Sequence, residues 1–484
     1  MSIRNEVVLI TYADSLGSNL NELGSILAEH FAGAIGGVHL LPFYPSSADR
    51  GFAPMEYDSV DRKFGTWADI EQIAKRHWLM VDFMINHISR SSRYFADFIQ
   101  RKDQSPYAHM FIRYRDFWPS GEPTSEQLDL IYKRKPRAPF VTVDFADGTV
   151  EKIWCTFDEE QIDLDLTREV TRSFVRDTLT FLARRGAAVV RLDAFAYATK
   201  KAGTTCFFVE PAVWQILDDA RSTLEPFDVE VLPEIHEHYS LQVKLAEQGY
   251  WVYDFALPML LLHTLSCGSS ARLLNWLRIC PRKQFTTLDT HDGIGIADVR
   301  DLLSEEEIEG VRARLFAAKA NVKRIYSTAI YKNLDIYQIN CTYYSALGCS
   351  DDAYLIARAI QFFAPGIPQI YYVGLLAGEN DISLVEKTRN GRDINRHCYT
   401  KSEVDAQVSR PVVRRLINLM KFRNQYPAFD NEVLLGDQDD PRSLVITRTS
   451  GKYRTTLTAD LITFAFEISY YNTASGKMEL LTGV

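Results

Sequence analysis

Eight short apolar runs with little polar alternation recur along the chain. They lie at Val7–Ala13, Val38–Phe43, Leu79–Ile85, Ala187–Leu192, Val229–Leu232, Trp251–Leu257, Gln284–Asp289 and Ile367–Val373. Runs of this kind suit strands buried on both faces of a parallel sheet, because a strand with one wet face would alternate. Helical periodicity falls between several of them. From about Arg168 to Arg185, the residues Val170, Phe174, Val175, Leu179 and Leu182 share one face, and Gly186 is placed to end the helix. Eight strands with helical crossovers predict an α/β fold, a (β/α)₈ TIM barrel. A doubly wound open sheet is the alternative, and the lack of a GxGxxG after the first strand weighs against it.

Two intervals are too long for simple connections. One leaves the third strand, from about Ser89 to Leu166, and the other leaves the seventh, from about Gly293 to Ser350. After a helix starting near Pro411, Ser443–Thr447, Arg454–Thr458 and Leu461–Phe466 read as strands of a small antiparallel β domain. The expected organisation is barrel at 1–88, 167–292 and 351–431, insertions at 89–166 and 293–350, and a C-terminal β domain at 432–484.

Composition narrows the function classes. A chain of 484 residues that is 46% hydrophobic has ample material for a barrel core, and a net charge of -9 argues against a nucleic-acid partner. Its seven cysteines show no CxxC or metal-ligand spacing, so reduced thiols are expected. No apolar leader precedes the first strand and no run approaches the ~18 apolar residues that span a bilayer, which leads us to expect a cytoplasmic enzyme without membrane contact.

The chemistry gathers at strand ends. Four segments, Asp82 to His87, Arg191 to Asp193, Leu232 to Glu234 and Thr290 to Gly293, each close a predicted strand with polar residues. Polar groups at the carboxyl ends of barrel strands are what an active site on this fold requires. Three acids there match the needs of glycoside cleavage with retention, which uses a carboxylate nucleophile and a second carboxyl as acid and then base. Asp193 fits the nucleophile, with Arg191 expected to depress its pKa. Glu234 fits the proton donor, and Asp292 fits a stabiliser of the cationic transition state. His87 and His291 fit donors to ring hydroxyls. Each position alone reads more simply as a helix cap, an ion pair or a structural histidine. Their recurrence at successive strand ends carries the case.

These four segments resemble the signature regions of the α-amylase superfamily, glycoside hydrolase family 13. The runs Leu9 to Gly17, Gly37 to Phe43, Asp49 to Pro54, Asn333 to Asn340 and Gly391 to His397 are similar to its sucrose phosphorylase branch. The resemblance covers nearly the whole chain and weakens over the last ~50 residues. It implies that Asp193 carries a β-glucosyl intermediate, with Glu234 as acid/base and Asp292 as stabiliser. It further implies that Asp49, Phe52, His87, Arg191, His291 and Arg392 enclose one glucosyl ring. An Asp49–Arg392 pair would close the far end of the pocket, with Arg396 as the competing clamp.

Phosphorolysis also needs an anion site where the acceptor leaves. Tyr132 to Arg137 and Asp335 to Gln338 are the candidate loops, with Arg137 the chosen phosphate contact and Lys135 the alternative. Asp335, Ile336, Tyr337 and Gln338 would line the acceptor side, near His236. In the resembling enzymes these loops alternate between fructose and phosphate, which implies gating. Sucrose phosphate-type relatives tend to carry His where this chain has Tyr337. The implied substrates are sucrose, inorganic phosphate, glucose 1-phosphate and fructose, with no cofactor and no metal. A monomer or a homodimer is equally compatible with the sequence. Phosphorolysis of sucrose 6'-phosphate or glucosylglycerol, hydrolysis of an α-glucoside, and a non-catalytic scaffold are the alternatives.

Overall fold

The structure, a computed structural model, describes residues 2–135, 137–320, 338–436 and 440–484. Eight parallel strands form one sheet: β1 (Val8–Thr11), β2 (Gly37–Leu40), β3 (Trp78–Met84), β4 (Ala187–Asp193), β5 (Glu230–Pro233), β6 (Val252–Asp254), β7 (Gln284–Thr287) and β8 (Ile367–Tyr371). Their order is β6-β7-β8-β1-β2-β3-β4-β5, with parallel ladders along the whole series. The sheet curls into a nearly closed barrel. Val8, Met80, Val189, Leu232, Tyr253, Phe285 and Ile367, one from each of seven strands, meet in a single buried core. Tyr253 on β6 directs its hydroxyl at the sulfur of Met80 on β3, 3.9 Å away across the interior. Strands buried on both faces explain the apolar runs. The inner face fills the barrel and the outer face packs under helices. The amphipathic helix Glu169–Arg184 is one of these, and Gly186 follows it with φ +95°.

Two long excursions leave the carboxyl ends of strands. The one between β3 and β4 pairs His87–Ser89 with Gln161–Asp163 and carries the hairpin Phe140–Asp144/Val150–Trp154. It has its own core of Phe95, Phe98, Phe111, Val143 and Ile153. Buried Asp163 ties it to the barrel by accepting from Asn86, Thr156 and Lys200. The excursion after β7 holds the short pair Ile294–Gly295/Gln338–Ile339 and the helix Glu305–Ala317.

After the helix Pro411–Gln425 comes a five-stranded antiparallel sheet: β9 (Glu432–Leu435), β10 (Ser443–Ser450), β11 (Tyr453–Asp460), β12 (Phe466–Asn472) and β13 (Lys477–Leu480). One expected strand is corrected here. Residues 461–465 form a turn instead, because Asp460 Oδ1 accepts from the N–H groups of Ile462 and Thr463 at 2.8 and 2.9 Å and so competes with a ladder. Among the described residues no helix is long and apolar enough to cross a membrane.

Candidate active site

Ten of the residues singled out by sequence line one cavity of about 100 Å³ at the carboxyl end of the barrel. These are Asp49, Phe52, His87, Asp193, Glu234, His236, His291, Asp292, Gln338 and Arg392. Asp335, Ile336 and Tyr337 lie outside the described residues.

The floor is built by β3, β4 and β5. Arg191 and Asp193 are two residues apart on β4 and so project to the same side of the strand. Arg191 Nη1 contacts both Asp82 on β3 and Asp193 Oδ1, the latter at 2.8 Å, while Nη2 lies 3.7 Å from Glu234 Oε1. Asp82 also takes His39 Nε2 at 2.8 Å. Ala194 follows the strand in the left-handed region, φ +52°, a conformation stored at functional sites when neighbours enforce it. Its N–H donates to Glu234 Oε2 at 3.0 Å. Glu234, His236 and Asp292 each bring an atom within 4.8 Å of the others, which puts the second and third acids on one spot. The side chains of Asp193, Glu234 and Asp292 are only 15%, 11% and 12% exposed, so they open to the cavity alone.

The far end is closed by charge. Arg392 Nη1 lies 3.3 Å from Asp49 Oδ2, and its Nη2 lies 3.4 Å from Asp292 Oδ1. Arg396 sits behind it, buried, donating from Nε and Nη2 to the carbonyl of His291. Arg392 therefore faces the cavity, and Arg396 holds the loop. Asp49 and Arg50 both have positive φ, and Gly51 at φ +110° passes so close to the Pro42 carbonyl that a Cβ would sit 2.5 Å from it. The imidazole of His291 stacks on Phe52, centroids 4.9 Å apart and planes 7° apart, as an apolar wall. His87 Nε2 lies 2.9 Å from the Phe52 carbonyl, so that nitrogen braces the wall.

The electrostatics differ from expectation at one residue. Burial pushes the Asp193 carboxyl up to about 8, helped by the Glu234 and Asp82 carboxylates, and outweighs the opposing pull of Arg191. The expected depression by Arg191 falls instead on Asp82, held at about 2 against its burial by Arg191 and His39. Near neutral pH the buried Asp193 carboxyl is thus held toward its protonated form. Burial also raises Asp292, but His291, Arg392 and His236 overcome it and hold this carboxyl well below the usual range. Burial pulls the His291 pKa down to about 3, against the opposing pull of Asp292.

Arg137 stands apart from this cavity. It does not line the cavity; its guanidinium donates to the carbonyls of Ala138, Phe140 and Phe157 and braces the hairpin base. Lys135 pairs with Asp158 at 3.2 Å. From the same basic run it is Arg134 that reaches the cavity, its guanidinium 5.2 Å from the Tyr197 ring centroid. Sequence reasoning also passed over Phe157, Gln161 and Tyr197, which complete the wall on that side. Tyr197 lies four residues past Asp193, which was the available signal.

Comparison with known proteins gives the family. The α-amylase catalytic-domain family matches residues 33–242. The chain is 56% identical over 430 residues to sucrose phosphorylase of Streptococcus mutans, covering 89% of each chain. The chain belongs to the sucrose phosphorylase branch of the α-amylase superfamily. It is 44% identical over 478 residues to glucosylglycerol phosphorylase of Marinobacter adhaerens, covering 99% of each. Its fold superposes on the crystal structure of sucrose 6F-phosphate phosphorylase from Thermoanaerobacter thermosaccharolyticum with a TM-score of 0.96, at 43% identity and 99% coverage of both chains. Membership makes the chain a glycosyl-transferring enzyme of phosphorylase type.

Proposed function

We propose that the enzyme is a sucrose phosphorylase, converting sucrose and inorganic phosphate to α-glucose 1-phosphate and fructose with retention. The observation that carries this reading is the convergence of Asp193, Glu234 and Asp292 on one cavity whose far end is closed by Arg392 and Asp49. A blind end admits one glucosyl unit.

In the first half-reaction Asp193 attacks the anomeric carbon and Glu234 passes a proton to the departing fructose oxygen, leaving a β-glucosyl ester. Asp292, held ionised with Arg392 Nη2 3.4 Å from its Oδ1, faces the developing oxocarbenium charge. In the second half-reaction phosphate enters where fructose left, Glu234 receives its proton, and a second inversion restores the α configuration. Arg134 also lines the cavity and is our choice for the phosphate contact in place of Arg137. His236 and Gln338 lie on the same side.

Incubation with sucrose and phosphate, with glucose 1-phosphate, fructose and free glucose measured separately, tests the proposal. Equal glucose 1-phosphate and fructose with little glucose is the expected result. Free glucose as the main product would replace the reading with hydrolysis. Faster turnover of sucrose 6'-phosphate or glucosylglycerol in parallel incubations would reassign the acceptor.

A further inference from the structure

Behind the candidate acid/base lies a buried carboxylate that no contact with the sugar explains. Asp298 sits on the turn Ala297–Val299 after β7, 2% exposed, and neither carboxylate oxygen has a hydrogen-bond partner among the described residues. Its nearest cationic atom is His236 Nδ1, 3.7 Å from Oδ2, and that nitrogen is also buried without a partner. The other ring nitrogen, Nε2, lies 3.3 Å from Glu234 Oε1. The imidazole is held flat against Phe255, with centroids 3.8 Å apart, so it cannot turn away. Gly295 leaves the room for this carboxylate, since a Cβ there would come 2.2 Å from Asp298 Oδ2.

Orphaned buried polar atoms are costly, and three of them facing one another across 3.7 Å are relieved by a closure of less than ~1 Å. Catalytic hydrogen bonds often tighten in just this way when substrate binds. We infer that Asp298 is a positioning residue that fixes Nδ1–H of His236 and thereby presents Nε2 to Glu234 in both half-reactions. With Nδ1–H committed to Asp298, Nε2 accepts from Glu234 while that carboxyl is protonated. As an imidazolium it donates to Glu234 once the proton has left. Burial pulls the His236 pKa down, and Asp298 with Glu234 pushes it above its ordinary value, so both forms are accessible. Asp292 also faces the ring, Arg191 faces Glu234, and Glu237 and Asp254 sense Asp298. The inference rests on Glu234 being the acid/base.

The test compares sucrose with α-glucosyl fluoride, both with phosphate, in Asp298→Asn, His236→Asn, the double variant and Glu234→Gln. Fluoride leaves without a proton, so its release does not need the acid. Asp298→Asn is expected to slow sucrose phosphorolysis about tenfold or more while changing fluoride release little. The basic limb of kcat/KM for sucrose should move up by about 1 pH unit, because the imidazolium that favours ionised Glu234 is weakened. In the His236→Asn background the same substitution should add almost nothing. An equal loss on both substrates, or an undiminished loss without His236, overturns the positioning role. If Glu234→Gln itself fails to separate the two substrates, the acid/base assignment falls and the inference falls with it. Should Asp298→Asn fold poorly by thermal melting, Gly295→Ala displaces the same carboxylate and must give the same split between substrates.

Discussion

Arg191 Nη1 lies 2.8 Å from Asp193 Oδ1, two residues further along the same strand, in a site where both side chains are nearly buried. The contact orients the carboxylate toward the cavity. It does not overcome the cost of burying charge, because the same guanidinium also serves Asp82 and Glu234.

That balance gives a stability signature. Asp193 has a folded pKa raised to about 8 from an ordinary 3.8. The folded protein therefore holds a proton that the unfolded chain releases, and stability is lost as pH rises from about 4 through about 8. Asp193→Asn, neutral at every pH, should melt higher than the parent, and the gap should widen between pH 5 and pH 8. A gap independent of pH would remove the raised pKa. Turnover of sucrose in the same variant should fall by roughly 10⁴-fold or more, as expected when a nucleophile is removed.

Glu234→Gln should stall on sucrose yet react with α-glucosyl fluoride. Added azide, a nucleophile that needs no base, should restore turnover and yield α-glucosyl azide. No azide product would count against the acid/base role.

Arg134 and Arg137 should separate cleanly. Arg134→Ala is expected to raise the KM for phosphate tenfold or so, about 1.4 kcal/mol, with a smaller effect on cleavage of sucrose in the absence of phosphate. Arg137→Ala should instead lower the melting temperature, since three carbonyls lose their donor at about 1 kcal/mol each. Steady-state kinetics at varied phosphate and a melting curve decide between them. The reverse pattern would restore the assignment made from sequence.

Arg392→Ala leaves Asp292 without this guanidinium and Asp49 with only the longer 3.8 Å approach of Arg396 Nη1. The Arg392 side chain is 23% exposed, which moderates the cost. A loss of about 2 kcal/mol in kcat/KM for sucrose is expected, roughly 30-fold. An unchanged kcat/KM would show that the far end of the pocket does not contact the sugar.

Much of this was readable from sequence, because it depends on neighbours along the chain. Eight apolar runs become eight strands when each must bury both faces. Residues at strand ends share one rim of the barrel, and Arg191 and Asp193 share a face because the strand period is two. Chain neighbourhood could not say which of Lys133, Arg134, Lys135 and Arg137 turns toward the cavity. It likewise left open that Arg392 lines the cavity while Arg396, also within 3.8 Å of Asp49, is buried behind it. Leu461 to Phe466 has the residue types of a strand, and a side-chain cap from Asp460 makes its first part a turn. The Asp193 pKa and the Asp298–His236–Glu234 alignment depend on burial and on distances between segments far apart in sequence. Those quantities exist only once the barrel has curled and brought its strand ends together.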